Sequence, residues 1–234
     1  MTMPWISQST KNDVVAQICD RIWMAIVQRS LRPGARLKEE ELAEVFQVSR
    51  ARIRQALAVL EKDGLVTLIP NRGACISEPS IEEARDAFYA RAQIEARLVE
   101  RLCQNATADD VTALTRHVEA ERRAHQQRDT EAIVRLSGEF HALIARLSGA
   151  GLLADILHML TTRTSLITAM YQTEQVQSCG PDEHQQIVAA IARRDARSAM
   201  AAMAHHLHHL ESALELDKAR APAPDLRAAL LART

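Results

Sequence analysis

Two helical patterns separated by only three residues place the tightest limit on how this chain can fold. Residues 39–46 (EEELAEVF) and residues 50–63 (RARIRQALAVLEKD) both have the pattern of a helix, and residues 47–49 form the turn between them. Ser49 is a good N-cap for the second helix, because its hydroxyl can accept a hydrogen bond from an amide of the first turn. This spacing is typical of a helix-turn-helix.

The segments on either side complete the order of a larger unit. Residues 12–29 have apolar side chains at every fourth position and form a predicted helix, and Pro33 and Gly34 forbid its continuation. After the third helix, two short β-prone runs flank a turn at residues 71–73. This succession of elements predicts a winged helix-turn-helix, which we assign to residues 11–78.

The third predicted helix carries arginines suited to DNA. Arg50 and Arg54 are four residues apart and share one face, and Arg52 lies between them. Guanidinium groups at this end of a helix suit the phosphates and guanine edges of a major groove. Arg72 lies on the predicted wing turn, where it can reach a minor groove or a phosphate. The arginines alone also fit a solvated helix face, but the complete winged order favours DNA binding.

The rest of the chain has the pattern of helices joined by short turns. The predicted helices are 81–104, 107–127, 129–148, 150–172, 181–193 and 196–217. Six helices with such short connections predict an antiparallel bundle, and we assign residues 81–218 to one all-helical domain. Residues 219–234 are predicted to be a flexible tail with room for a short terminal helix. The predicted fold class is therefore mainly α.

Arg91 lies within the apolar stripe of the first bundle helix and is predicted to be buried. A buried guanidinium needs an anion. Glu95, four residues further on, can supply it. Alternatively, Arg91 receives the carboxylate of a bound small molecule. The sequence leaves both interpretations open.

Three of the nine histidines are predicted to face the interior of the bundle. His184 lies eleven residues before Asp195 and His206 eleven residues after it, so the two rings are level in an antiparallel helix pair. His141 lies on the inward side of its own helix. Converging imidazoles suit Zn(II), Ni(II) or another borderline metal, although a buried histidine is also often an ordinary hydrogen-bonded core residue. The other histidines of the last bundle helix are predicted to be at the surface: His205, His208 and His209.

The N-terminal region resembles a known family. Residues 31–77, LRPGARLKEEELAEVFQVSRARIRQALAVLEKDGLVTLIPNRGACIS, are similar to the DNA-binding domain of GntR-type bacterial regulators, with its PG, VSR and PNRG motifs. The resemblance implies direct DNA contacts by Arg50 and Arg54, with Ser49 and Gly73 near the DNA backbone. The family commonly has Thr-Pro or similar after the Ser-Arg pair, whereas Ala51 and Arg52 stand here. Arg52 can add a contact of its own, so the operator sequence of relatives does not transfer.

The bundle resembles the FCD ligand-binding domain that follows this type of DNA-binding domain. The resemblance rests on R-x-x-I-E at residues 91–95 and on the pairs Phe140-His141, Glu183-His184 and His206-Leu207. It implies a divalent metal, Zn or Ni, which His141, His184 and His206 hold and which helps to receive a carboxylate effector. The family commonly has an Asp where Ser137 stands, and a serine is a poor ligand without charge. The site is therefore expected to bind metal weakly or to work without it, with Arg91 and Ser137 near the effector.

These features predict a homodimeric transcription regulator that binds double-stranded operator DNA and is a repressor released by a small carboxylate. One alternative is a metal sensor in which the ion itself is the signal. Another is a constitutive DNA-binding protein whose second domain only dimerises. A hydrolytic enzyme is also conceivable at a three-histidine site, but no acid or base is obviously placed beside the histidines, so we expect no enzyme.

Composition excludes several other classes. The chain of 234 residues is 47% hydrophobic and 25% charged, which fits an ordinary globular protein rather than a disordered one. Its four cysteines form no CxxC pair, which gives no support to a zinc finger or a thioredoxin-like site. The sequence has neither a signal-like stretch nor an apolar run near the ~20 residues that cross a bilayer. We therefore expect a cytoplasmic protein.

Overall fold

The computed structural model describes residues 14–69, 73–171, 180–214 and 226–231. Within these ranges the chain is mainly helical, with one small sheet, which confirms the predicted fold class. The elements in chain order are α1 (Val14–Val27), β1 (Arg36–Leu37), α2 (Glu39–Phe46), α3 (Arg50–Lys62), β2 (Val66–Ile69), β3 (Gly73–Ile76), α4 (Ile81–Asn105), α5 (Ala108–Gln127), α6 (Thr130–Leu147), α7 (Gly151–Tyr171), α8 (Gly180–Ala192), α9 (Ala196–Ser212) and α10 (Leu226–Leu231).

Helices α2 and α3 form the predicted helix-turn-helix. Gln47 ends α2 in left-handed backbone with φ 54°, which reverses the chain within the short turn. Ser49 is in extended backbone, and its hydroxyl accepts a hydrogen bond from the amide of Arg52 at the start of α3. Ile53, Leu57 and Leu60 of α3 are buried. The opposite face of α3 is therefore left in solvent.

The wing is a three-stranded sheet rather than the predicted hairpin of two strands. β2 and β3 pair antiparallel, with Val66 opposite Ile76. β1 pairs with the other side of β3, so that Arg36 lies opposite Cys75. No sequence pattern predicted β1, because a strand of two residues is too short to show alternation.

Helices α4 to α9 form the bundle. α4 packs against α7 and α9, and α5 packs against α6 and α8. Residues 128–129 join α5 to α6 and residues 193–195 join α8 to α9, so these neighbours run antiparallel. The main apolar cluster of the bundle is mostly aliphatic and includes Phe140, which is fully buried. This packing directs the inner faces of α6, α8 and α9 towards one region of the core.

Helix α7 belongs to the bundle and also contacts the DNA-binding domain. Leu166 is fully buried in the core that α1 and α3 share. Arg163 donates to the carbonyl oxygen of Gly64, just after α3, and to the carboxylate of Glu83 on α4. His158 Nε2 is 3.5 Å from a carboxylate oxygen of Asp63. α7 therefore links the bundle to the C-terminal end of α3.

The predicted helices agree with the structure to within one or two residues, except at two places. The last bundle helix was predicted to reach residue 217 but ends at Ser212. Of the predicted tail, residues 219–225 and 232–234 lie outside the described residues, whereas Leu226–Leu231 form α10. α10 forms because Leu226 and Leu230 lie one helical turn apart and are both buried. The predicted boundaries of the two domains, 11–78 and 81–218, stay predictions.

Over the described ranges, no helix combines the length and the apolar character that crossing a bilayer requires.

Candidate DNA interface and candidate metal centre

The exposed face of α3 carries the arginines that the sequence assigned to DNA. Arg54 Nε lies 3.0 and 2.9 Å from the two carboxylate oxygens of Glu39. Arg50 is 2.8 Å from Glu40 and 3.3 Å from Glu39. Two carboxylates at the start of α2 therefore hold both guanidinium groups side by side at the surface. Glu39 and Glu40 were not predicted to belong to this surface, because sequence patterns treat each helix separately.

The other predicted DNA contacts lie around the same face. Arg52 is exposed and donates to the side-chain oxygen of Gln55 at 3.2 Å. Ser49 is exposed at the N-cap. Gly73 starts β3 with φ 83°, a backbone conformation that favours glycine. Arg72 lies outside the described residues.

The three inward histidines come together in the interior of the bundle. His141 on α6, His184 on α8 and His206 on α9 are 1%, 0% and 1% exposed. One ring nitrogen from each lies within 4.8 Å of the other two. The Nε2 atoms of His184 and His206 are 3.2 Å apart, as the level placement of the two residues predicted. Phe140 stacks on the ring of His184 at a centroid distance of 3.8 Å.

A carboxylate lies behind each of these rings. Nδ1 of His141 is 2.5 Å from Glu95, Nδ1 of His184 is 2.9 Å from both oxygens of Glu121, and Nδ1 of His206 is 2.7 Å from Glu183. A carboxylate on Nδ1 fixes the tautomer and the direction of the ring and leaves Nε2 facing the centre. Glu95 was predicted only as a partner for Arg91, and the roles of Glu121 and Glu183 were not predicted from the sequence.

Burial determines the protonation of the centre. It lowers the pKa of His184 to about 3 and that of His206 to about 4, so both rings are neutral at pH 7. If each Nδ1–H donates to its carboxylate, two Nε2 lone pairs face each other across 3.2 Å. A cation between them removes this repulsion. A proton removes the repulsion as well. Burial raises the pKa of Glu121 to about 8, so a protonated Glu121 donates to Nδ1 of His184. The ring proton of His184 is then on Nε2, which donates to Nε2 of His206.

The residues present fit a divalent cation. Nε2 of His141 is buried and has no hydrogen-bond partner among the described residues. A buried polar nitrogen without a partner is costly unless something satisfies it. Three neutral imidazoles, each oriented by a carboxylate, are a common donor set for zinc and similar metals. The structure therefore brings together the predicted ligands His141, His184 and His206, and their metal binding stays a prediction.

Arg91 is already paired. Its Nε donates to Glu95 at 2.6 Å and its Nη1 donates to the hydroxyl of Thr164 at 2.9 Å. The structure thus pairs Arg91 with Glu95, which is the first of the two alternatives that the sequence left open. A contact between Arg91 and an effector stays a prediction. Ser137 is half-buried on α6, one turn before His141, and its role as an effector contact stays a prediction as well.

A winged helix that presents arginines on its third helix, joined to a separate helical bundle, is typical of a DNA-binding transcription regulator. Comparison with known families leads to the same class. Residues 14–76 match the family of bacterial regulatory proteins described as the gntR family, and residues 86–209 match the FCD domain. The chain belongs to the GntR family of DNA-binding transcription regulators, in the group that carries an FCD domain.

Individual relatives agree with this assignment. The HTH-type transcriptional regulator YdhC of Bacillus subtilis is 30% identical over 133 residues, which cover 56% of this chain and 59% of that protein. The HTH-type transcriptional repressor RspR of Escherichia coli is 25% identical over 175 residues, 73% of this chain and 75% of that protein. The match thus spans less than two thirds of YdhC and about three quarters of RspR. These relatives are transcription regulators and not enzymes, as predicted.

A solved structure shows the same fold. The structure of E. coli McbR/YncC superposes with a TM-score of 0.72 at 20% identity, covering 84% of this chain and 94% of that one. At this identity the likeness shows the fold alone.

Proposed function

We propose that the protein is a homodimeric repressor, which a small carboxylate bound in the helical domain releases from its operator. The observation that carries this proposal is the buried centre of His141, His184 and His206, which lies in a bundle that α7 links to the end of α3.

DNA recognition is assigned to the exposed face of α3 and to the wing. Arg50, Arg52 and Arg54 are exposed, so they can reach a DNA groove without any rearrangement of the core. Selection from random duplex DNA would identify the operator. Arg54→Ala should then lose specific binding while its circular dichroism spectrum stays that of the wild type. Arg123→Ala, an exposed arginine on α5, is the matched control and should bind normally. Unchanged operator affinity in Arg54→Ala would refute this placement.

Exposed apolar side chains support a dimer. Tyr89 on α4 is 70% exposed, and Leu152 and Met159 on α7 are 74% and 49% exposed. Leu152 and Met159 lie seven residues apart and therefore share one face of α7. Exposed apolar surface of this kind commonly marks a protein interface. Light scattering should give twice the chain mass for the wild type and the single mass for the pair Leu152→Asp and Met159→Asp. A monomeric wild type would contradict the dimer.

Ligand binding is assigned to the histidine centre. His141, His184 and His206 would hold a divalent cation through their buried ring nitrogens, with Glu95, Glu121 and Glu183 fixing the three rings. The cation would supply a Lewis-acidic point for the carboxylate of an effector. Ser137, near His141 on α6, offers a hydroxyl in place of the Asp that the family commonly has. This side chain adds no charge, so the affinity for the cation is expected to be weaker.

A groove between α6 and α7, which none of the three histidines lines, offers space for a small ligand. It has a volume of about 230 Å³ between α6 and α7 and is lined by Gly138 and Ala142 on either side of His141 and by Leu157, His158 and Thr161 of α7. The hydroxyl of Thr161 is buried and has no hydrogen-bond partner among the described residues. A polar group of a ligand in the groove could satisfy it.

Signal transfer is assigned to a chain of contacts from the centre to α3. Glu95 contacts both His141 and Arg91, and Arg91 donates to Thr164 on α7. The adjacent Arg163 donates to the carbonyl of Gly64 after α3. A ligand that favours one position of His141 therefore also favours one position of α7 against the DNA-binding domain. Such a ligand shifts DNA affinity only as far as it binds the two arrangements unequally.

The test combines metal analysis with DNA binding. Purified wild type should contain zinc or nickel by mass spectrometry. His206→Ala should lose the metal, and the exposed neighbour His205→Ala is the matched control that should keep it. A screen of small carboxylic acids should yield one that weakens operator binding of the wild type and not of His206→Ala. Equal metal content in wild type and His206→Ala would refute the centre.

A metal sensor is the second candidate, favoured by the three converging nitrogen donors. In that case operator affinity would follow the free Zn(II) or Ni(II) concentration without any organic ligand.

A further inference from the structure

The C-terminal helix α10 lies after both regions that match known families. The FCD match ends at residue 209, and α10 spans Leu226–Leu231. The helix nevertheless packs against the other end of the chain, on α1 and α2 of the DNA-binding domain. Neither the sensing function nor the DNA contacts described above require it.

The contacts of α10 are those of a docked helix. Leu226 and Leu230 are 7% and 4% exposed and join the core of the DNA-binding domain. Arg21 on α1 donates to the carbonyl oxygen of Leu230 at 2.7 Å. Carbonyls in the last turn of a helix lack partners within the helix, so this bond satisfies one of them. Arg227 forms an exposed ion pair with Glu44 on α2, at 2.8 Å.

The docked helix also lies at the junction of the two domains. A cavity of about 170 Å³ is bounded by Arg21 and Met24 of α1, by Ala229 and Leu230 of α10, and by Glu131 in the first turn of α6. The start of α6 therefore lies across this cavity from α1 and α10, while α7 contacts α1 directly. A body that is held along one line can swing about it, whereas a second line of contact limits the swing.

We propose that α10 is an intramolecular strap. The chain leaves the bundle after α9 and returns to bind the α1–α2 face of the DNA-binding domain, which limits how far this domain swings relative to the bundle. The strap leaves the DNA face free, because α10 packs on α1 and α2 and not on the exposed side of α3. A protein that keeps its strap can therefore bind DNA with its two recognition helices at a fixed separation.

The first test needs neither DNA, nor metal, nor effector. Hydrogen–deuterium exchange is measured on the full chain and on a chain that ends at residue 225. The amides of α1 and α2 should exchange roughly tenfold faster or more without the strap, because their local opening becomes easier, while those of α5 and α8 should not change. Leu226→Ser with Leu230→Ser in the full chain should reproduce the effect. Arg227→Ala should not, because its ion pair is exposed.

A rescue experiment distinguishes docking from general destabilisation. A synthetic peptide of residues 222–234 is added to the shortened chain at about 1 mM, near the effective concentration of a short tether. Protection of α1 and α2 should return with this peptide. It should not return with the peptide that carries Ser in place of both leucines. Unchanged exchange in the shortened chain, or equal rescue by both peptides, would overturn the strap.

The second test measures the swing itself and rests on the proposed operator-binding dimer. One base pair inserted between the half-sites moves them by about 3.4 Å and about a tenth of a turn. The intact protein should lose at least tenfold in affinity on this operator. The shortened chain should lose clearly less, and an equal loss would overturn the limit on swing. If no operator can be selected at all, the proposed function fails, and the exchange experiment still decides whether α10 docks.

Discussion

Replacing Arg91 by Met tests what holds the buried polar cluster of the bundle together. The side chains of Arg91 and Glu95 are 5% and 0% exposed, and their charged groups are 2.6 Å apart. Removing one partner of such a pair costs about 3–5 kcal/mol, because the other charge stays buried. Glu95 keeps its contact with His141, so we expect the lower end, about 3 kcal/mol. At about 2–4 °C per kcal/mol for a chain of this length, the Tm should fall by roughly 6–12 °C.

The same helix provides the matched control. Arg97 pairs with Glu100 at 2.5 Å, but these side chains are 53% and 33% exposed. An exposed pair contributes about 0–1 kcal/mol, so Arg97→Met should leave the Tm nearly unchanged. Both variants and the wild type are unfolded by heat and by urea and followed by circular dichroism. Metal is removed and no acid is added, since a bound ligand would stabilise the folded state by itself.

Equal Tm values for Arg91→Met and Arg97→Met would refute the structural role of Arg91. The second interpretation, a guanidinium kept for the carboxylate of an effector, would then gain support. The double variant Arg91→Met with Glu95→Gln adds a further check. It removes both charges but keeps an oxygen that accepts a hydrogen bond from His141, so part of the lost stability should return.

Three further perturbations follow from the same structure. Ser49→Ala removes the N-cap of α3 and should lower the free energy of unfolding, measured with urea, by about 1 kcal/mol. Ser80→Ala should do the same at the N-cap of α4. A loss near zero at both positions would contradict the caps. Leu166→Ala should cost about 2–5 kcal/mol and loosen α7 from the DNA-binding domain, which exchange of the α1 amides would report. Glu121→Gln should weaken zinc binding about 10- to 100-fold in a competition titration, because a cation on Nε2 of His184 favours an ionised Glu121 as acceptor for Nδ1–H, and a neutral amide accepts more weakly. The exposed Glu119→Gln on the same helix should not, and equal affinities would contradict the role of Glu121.

Sequence reasoning succeeded where one helix or one turn carries the information. The bounds of α2 follow from its own residues and from the turn at Gln47. The level placement of His184 and His206 follows from equal distances to one turn, and their Nε2 atoms are 3.2 Å apart in the structure. Both inferences need only the rise and the period of a helix.

Sequence reasoning failed where the partner comes from a distant helix. Glu121 lies 63 residues from His184, on a helix with many other polar residues, and no periodicity singles it out. Glu183 could have been found, since it precedes His184 and occurs in the motif that resembles the FCD domain. Its link to His206 on α9 depends on how α8 and α9 pack, which a linear pattern does not contain. The packing of α10 was not predicted, because two leucines in a short segment do not indicate which surface they are buried against.

The arginines of α3 show how a partner on another helix changes the predicted charge of a surface. The sequence presents Arg50 and Arg54 as free positive charges, whereas the structure pairs both with Glu39. DNA phosphates must therefore compete with a carboxylate. The competition is mild, because both arginines are exposed and each such pair contributes about 0–1 kcal/mol. The carboxylate meanwhile keeps two long side chains extended on one face, which reduces the conformational entropy lost on binding. Glu39 thus orders the recognition surface at a small electrostatic cost.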